Sequence, residues 1–148
     1  MNNNNRTTNW INNIISELSY LDHEKGVEIL KQCGRNCCEA STLHKGAVSI
    51  RNQYPNEKDD DIIFKEFKSQ YYNSDELTMN GNVITLIFEE CTCPMVKNGV
   101  DNSFLCNCTI GYSKKVFEIL FEKEVSITLE KSILGGDSVC VQHIKILD

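Results

Sequence analysis

At residues 77–88, LTMNGNVITLIF, the apolar pattern changes from helical spacing to strand spacing. Asn80-Gly81 is a strong short-range signal for a β-hairpin turn, because both residues accept the backbone conformation that such turns need. The nearly unbroken apolar run 83–88 predicts a central strand that is covered on both faces. Residues 77–79 and 83–88 are therefore expected to pair as a hairpin.

Upstream of this hairpin, apolar residues recur at helical spacing. Ile11, Ile14, Ile15, Leu18 and Leu21 predict an amphipathic first helix. Asp22 is expected to cap a second helix, and a third is predicted over 42–52. Acidic residues before Ile63 and Phe64 predict a fourth helix. Residues 1–8, with their run of asparagines, are expected to be a disordered polar tail.

Downstream, residues 94–103 are expected to form a loop, and the apolar pattern of 110–121 predicts a buried helix. Alternation over 125–130 indicates a half-exposed strand, and Gly135-Gly136-Asp137 is expected to turn the chain into a last strand over 139–147. The order predicts an α+β fold with N-terminal helices packed on an antiparallel sheet made of two hairpins separated by a long helix. Residues 9–148 are expected to form one domain.

The charge pattern argues against two classes of binding partner. The net charge is −6 and the sequence pI is about 5.1, and no basic stripe interleaved with aromatic residues occurs, which argues against nucleic acid. An anionic membrane surface would also be repelled. No apolar run approaches the ~20 residues that cross a bilayer, and no signal peptide is apparent. A cytoplasmic protein is therefore expected, in which the eight cysteines stay mainly reduced.

Two Cys-x-Cys pairs are the most informative chemical feature. Cys91 and Cys93, and Cys106 and Cys108, would each aim two sulfurs at one point if both segments were extended. Four convergent thiolates suit zinc or another soft metal. The alternatives are buried reduced thiols and a disulfide between the pairs.

A second cluster contains Cys33 and Cys37, one helical turn apart. They either face a ligand or extend the apolar side of the second helix. Glu90, beside the first Cys-x-Cys pair, is a candidate ligand-binding residue or base, with a solvated strand end as the alternative. Tyr112 is expected to wall a ligand pocket with the strand 83–88. No catalytic residue is assigned, because no nucleophile elbow, phosphate loop or HExxH motif occurs.

Residues 83–147 also carry a family resemblance. The motifs are Cys108-Thr-Ile-Gly111-Tyr112, a strand glutamate at Glu130, and Gly135-Gly136-Asp137-Ser-Val-Cys140. This part resembles the 4-vinyl-reductase domain and the related aminothiazoline-carboxylate hydrolase-like proteins, which share the small α+β fold of subunits of the transport protein particle. The resemblance implies a small-molecule-binding module. It also implies a zinc ion held by Cys108 and Cys140, although the family's other hairpin cysteine falls at Ile133 here.

Three functional hypotheses follow. The first is a small-ligand-binding domain with a cysteine-rich, zinc-stabilised site. The second is a hydrolase that acts on a small thiazoline-like or amide substrate through a cysteine or a metal-bound water. The third is an interaction module that forms a homodimer through its first two helices.

Overall fold

The computed structural model describes residues 3–72 and 75–148; of Asn3, Asn4 and Asn5 only the backbone is described. The first half of the chain is helical. Its helices are α1 (Asn3–Tyr20), α2 (His23–Cys38), α3 (Thr42–Gln53) and α4 (Asp60–Tyr71). Helix α1 begins six residues before position 9, so most of the segment predicted as a disordered tail lies within a helix. Residues 1 and 2 lie outside the described residues.

Side chains at the helix starts explain where these helices begin. The carboxylate of Asp22 accepts a hydrogen bond from the backbone N–H of Glu24, as its capping role predicts. Ser41 caps α3 in the same way, and Asp59 caps α4. Each cap satisfies an N–H group that has no partner within the helix.

The second half forms the sheet and its covering helix. The strands are β1 (Leu77–Asn80), β2 (Val83–Phe88), β3 (Val125–Lys131) and β4 (Cys140–Ile146). All neighbouring pairs are antiparallel, and the order is β1-β2-β4-β3. The hairpin turns at Gly81, whose positive φ of 62° suits a residue without a Cβ. The α+β architecture and both hairpins are confirmed.

The sheet buries one face only. Ile84 and Leu86 of β2 are buried, whereas Ile87, which points to the opposite face, is 37% exposed. The prediction that β2 is covered on both faces is therefore wrong: β2 is central in the sheet, but the helices pack against one side. The opposite side, which we call the outer face, is a surface of exposed and half-buried residues apart from Val141, which is buried.

Helix α6 (Cys106–Phe121) fills the space between the sheet and the N-terminal helices. Phe117 and Phe121 stack in the core beside Phe67 of α4. On its other side α6 meets α2 in backbone contact: a Cβ on Gly34 would lie 1.8 Å from the carbonyl oxygen of Cys108, and one on Gly111 would lie 2.0 Å from that of Lys31. Only glycine permits so close a crossing.

The segment before α6 is more ordered than predicted. The expected loop 94–103 contains a short helix, α5 (Pro94–Lys97), and is followed by a 3-10 helix, Ser103–Leu105. Val100 and Leu105 are buried against Ile15 of α1, forming a second small core. Because α6 continues directly from the 3-10 helix, Cys106 and Cys108 are helical residues and do not lie in an extended segment as the sequence suggested. None of the helices in the described ranges is long and apolar enough to cross a membrane.

Candidate functional site

Four of the eight cysteines lie near one end of the sheet, and we call them the sheet-end thiols: Cys91, Cys93, Cys106 and Cys140. Cys140 opens β4 directly opposite Phe88, the last residue of β2. The segment with Cys91 and Cys93 follows β2 and therefore begins next to Cys140. Cys106 lies in the first turn of α6. Three separate segments thus bring these thiols together.

The turn between β3 and β4 holds two of these sulfurs. Cys106 Sγ lies 3.2 Å from Ser132 Oγ, and the backbone N–H of Ile133 donates to Cys140 Sγ at 3.3 Å. The turn is braced by Asp137, whose carboxylate accepts from the backbone N–H of Ser132 at 2.8 Å. The family that residues 83–147 resemble has a cysteine at the position of Ile133. In this chain the backbone of Ile133 contacts Cys140 instead.

Burial raises the pKa of Cys106. The hydrogen bond between Cys106 and Ser132 opposes this shift, and the neighbouring Cys140, Cys91 and Cys93 add to it. The thiols are therefore close enough to interact electrostatically. Yet among the residues that the structure describes, no three His, Cys, Asp or Glu side chains are arranged to hold a metal ion. The sulfurs as positioned do not form a zinc ligand set, and zinc stays a prediction.

Cys108 belongs to a different group, the α2–α6 thiols Cys33, Cys37 and Cys108. Residues two apart on a helix differ by about 200° in direction, so Cys108 points away from Cys106 and toward α2. Burial raises the pKa of Cys108 to about 12, and Cys37, Cys93, Cys33 and, least of all, Cys106 add to the shift. The expectation that Cys106 and Cys108 aim at one point is therefore wrong.

Tyr112 lies one turn after Cys108 and faces the start of α3. Burial raises its pKa, a hydrogen bond with Ser41 lowers it, and Cys38 and Cys37 raise it further. The predicted ligand-binding residues Cys33, Cys37 and Tyr112 thus share the α2–α6 seam. Cys33 and Cys37 are nevertheless exposed, while the fully buried cysteine of α2 is Cys38.

Glu90, the fourth predicted ligand-binding residue, lies elsewhere. It lines a cleft of about 440 Å³ at the sheet end, together with Asp75, Glu76, Ile87, Phe88, Glu89 and Thr92. We call this the acidic cleft, because four of its seven lining residues are carboxylates. The backbone N–H of Ile87 donates to the carbonyl of Glu76 at 2.8 Å, which brings the segment before β1 to the end of β2.

Sequence reasoning missed part of this arrangement. Asp75 and Glu76 carry no motif, and only the hairpin pairing places them beside Glu90. It also missed a hydrogen-bonded series on the outer face, in which Thr85, His143 and Glu130 are linked. The register places Cys140 and His143 on opposite faces of β4.

The chain belongs to DUF6144, a family of unknown function, whose model matches residues 1–148. A comparison with the curated proteins finds no match. The family match does not test the resemblance of residues 83–147 to the 4-vinyl-reductase domain, which stays a prediction.

Proposed function

We propose that the chain is a small-molecule-binding domain whose ligand occupies the acidic cleft. The observation that carries this proposal is the cleft itself, which adjoins the segment bearing Cys91 and Cys93. Its volume of about 440 Å³ lies within the range of about 300–1,000 Å³ typical of ligand pockets. Eight cysteines without disulfide bonds are typical of a reducing compartment such as the cytoplasm. We therefore expect the ligand to be one of the small molecules dissolved there.

The lining of the cleft indicates the class of ligand. Asp75, Glu76, Glu89 and Glu90 bring four carboxylates together, and carboxylates attract a cation across a short distance. Ile87 and Phe88 supply apolar surface beside these carboxylates. We therefore expect a small molecule that combines an amine or guanidinium group with an apolar body.

Calorimetric titration with a panel of such amines tests this proposal, with neutral isosteres of each amine beside them. Glu90→Gln should weaken binding of the amine, whereas Glu28→Gln, on the exposed side of α2, serves as the matched control. Binding should also weaken as salt increases. If amines and their neutral isosteres bind equally, or both variants bind like the wild type, the proposal fails.

Zinc is a separate proposal, and the ligand-binding proposal does not depend on it. The sheet-end thiols are its donor candidates, and a site formed from them would require the sulfurs to turn toward one another. Elemental analysis of protein purified under reducing conditions tests it. About one zinc per chain, lost in Cys106→Ser and Cys140→Ser but kept in Cys33→Ser, would support a site at the sheet end. Metal-free protein with unchanged stability in chelator would refute it.

The hydrolase alternative draws less support when it relies on a cysteine. A nucleophilic cysteine needs a lowered pKa, whereas burial raises the pKa of Cys106 and of Cys108. This alternative predicts one thiol that alkylates far faster than the others at neutral pH. Uniform alkylation rates among the accessible thiols would remove its mechanism.

A further inference from the structure

The outer face of the sheet carries a series of three side chains that neither the acidic cleft nor the thiols use. Thr85 of β2 and His143 of β4 are directly opposed, and Thr85 Oγ1 lies 3.2 Å from His143 Nδ1. On the other side of the ring, His143 Nε2 is hydrogen-bonded to Glu130 Oε2. Three strands thus contribute a hydroxyl, an imidazole and a carboxylate in line.

A β-bulge accompanies Glu130. Leu129 pairs with Gln142 and Lys131 with Val141, so Glu130 is the extra residue and has no directly opposed partner. Its carboxylate turns instead to the ring of His143. Bulges commonly re-aim a side chain, and they recur beside active sites.

One tautomer of a neutral ring satisfies both hydrogen bonds when Glu130 is ionised, and in it each ring nitrogen has a role. An ionised carboxylate can only accept, so Nε2 carries the proton that it donates to Glu130. In the neutral ring Nδ1 is then an acceptor, and the hydroxyl of Thr85 donates to it. This is the connectivity of a nucleophile, a general base and an orienting carboxylate.

The neighbouring rows of the outer face supply two further features. On one side, Ile87 of β2 pairs with the buried Val141 of β4 and offers exposed apolar surface. On the other side, Lys145 lies two residues along β4, opposite Val83, and contributes a positive charge. The His143 side chain is 35% exposed and that of Glu130 is 52% exposed, so a substrate can reach the series from solvent.

We propose that the outer face is a second, hydrolytic site that acts on small carboxylic esters. Thr85 Oγ bonds to the carbonyl carbon while its proton passes to His143 Nδ1, and the carbonyl electron pair becomes an oxyanion near Lys145. Collapse of this intermediate breaks the bond to the alcohol, which leaves with the proton from Nδ1. Water then attacks acyl-Thr85 in the same way, releasing the carboxylic acid and restoring the hydroxyl. Glu130 is a positioning residue that keeps the ring oriented.

A fluorophosphonate probe tests this site without interference from the cysteines. The oxygen of Thr85 would bond to phosphorus, fluoride would leave, and the proton would pass to His143. Intact-mass spectrometry follows the adduct over time, and peptide mapping identifies the labelled residue. The variants are Thr85→Val, Thr85→Ser, His143→Gln and Glu130→Gln. The matched control is Thr128→Val, since Thr128 flanks His143 on the other side without a hydrogen bond in the series.

The expected result is one adduct at Thr85, absent in Thr85→Val and retained in Thr85→Ser and Thr128→Val. Loss of the base in His143→Gln should slow labelling about 100-fold. Glu130→Gln should slow it less and shift its pH profile, which a purely structural role would not do. Circular dichroism checks that each variant is folded. No adduct on folded wild-type protein, an adduct elsewhere, or equal rates in wild type and His143→Gln would overturn the proposal.

Discussion

Replacing Gly34 by alanine should force α2 away from α6. The new Cβ would lie 1.8 Å from the carbonyl oxygen of Cys108, where ordinary contact begins at 3.4 Å, so the two backbones must move apart by about 1.6 Å. Overpacking of this kind costs up to about 3 kcal/mol. The better helix propensity of alanine returns up to about 1 kcal/mol. The free energy of unfolding should therefore fall by about 2 kcal/mol, which corresponds to a melting temperature about 6 °C lower.

Urea unfolding followed by circular dichroism at 222 nm measures this change, since Trp10 is 64% exposed and reports poorly on the core. Gly111→Ala should have a similar effect, because its Cβ would meet Lys31 from the other side of the same crossing. Once either alanine has separated the helices, the second should cost less, so the double variant should lose less stability than the two single losses combined. Gly46→Ala is the control: its Cβ meets the Tyr71 ring, a side chain that can turn.

Wild-type stability in Gly34→Ala would refute this reasoning, as would full additivity with Gly111→Ala. Either result would mean that the helices can separate without losing contacts. A second readout connects the crossing to the α2–α6 thiols: widening it should expose Cys108, whose alkylation should accelerate relative to that of Cys140.

The remaining predictions concern the thiols, a buried arginine and the surface of the first helices. At pH 8, iodoacetamide should modify the exposed Cys33 and Cys37 well before Cys38 and Cys108, as peptide mapping will show; equal rates would contradict the burial of the latter two. Folding raises the pKa of Cys108 from 9.0 to about 12, because burial favours the neutral thiol. The stability that this shift contributes is fully present below pH 9 and is lost as the pH rises toward 12. Cys108→Ala should therefore reduce the fall of the urea midpoint between pH 8 and pH 10, whereas Cys33→Ala, at an exposed thiol, should not. Arg51→Ala should cost about 3 kcal/mol, since buried Arg51 donates to the carbonyls of Tyr54 and Glu57, whereas Lys58→Ala, which removes an exposed partner of Glu122, should cost less than about 1 kcal/mol; similar losses would mean that burial is not decisive. Trp10 and Ile14 on α1, Ile29 on α2 and Leu21 between the two helices are exposed. A homodimer through these helices should sediment as a dimer that Trp10→Glu converts to a monomer, and a monomeric wild type would refute it.

Local signals predicted most of the fold. Asn80-Gly81 determined the first hairpin, Asp22 the start of α2, and the alternating pattern of 125–130 the third strand. These features depend on neighbours in sequence, which a reader of the sequence can see. The failure at Cys106 has a tertiary cause: burial of Val100 and Leu105 against α1 draws the polar segment before α6 into a 3-10 helix and a first helical turn.

The candidate sites were less accessible to sequence reasoning. The thiols were found because cysteine is rare and conspicuous, but their division into two groups depends on the helical direction of Cys106 and Cys108. The acidic cleft depends on hairpin pairing between segments that carry no motif. The outer-face series depends on strand order, since β2 and β4 are neighbours although 58 residues separate Thr85 from His143. No local sequence pattern predicts that these two strands are neighbours in the sheet.

Synthesis of the chain delivers the middle of this sheet last. Strand β4 lies between β2 and β3, although it is made after both. Before residues 140–146 emerge from the ribosome, β2 has only β1 beside it and β3 has no partner in the sheet. The edge of β2 that pairs with β4 therefore stays unpaired, and the sheet that packs against α6 stays incomplete, until β4 has been made. Pairing between strands so far apart in the sequence is slow. During that interval the nascent chain offers unpaired strand edges to other chains and to chaperones. The helical half and the β1–β2 hairpin can form early, but the sheet-end thiols come together only when β4, which begins at Cys140, has paired with β2.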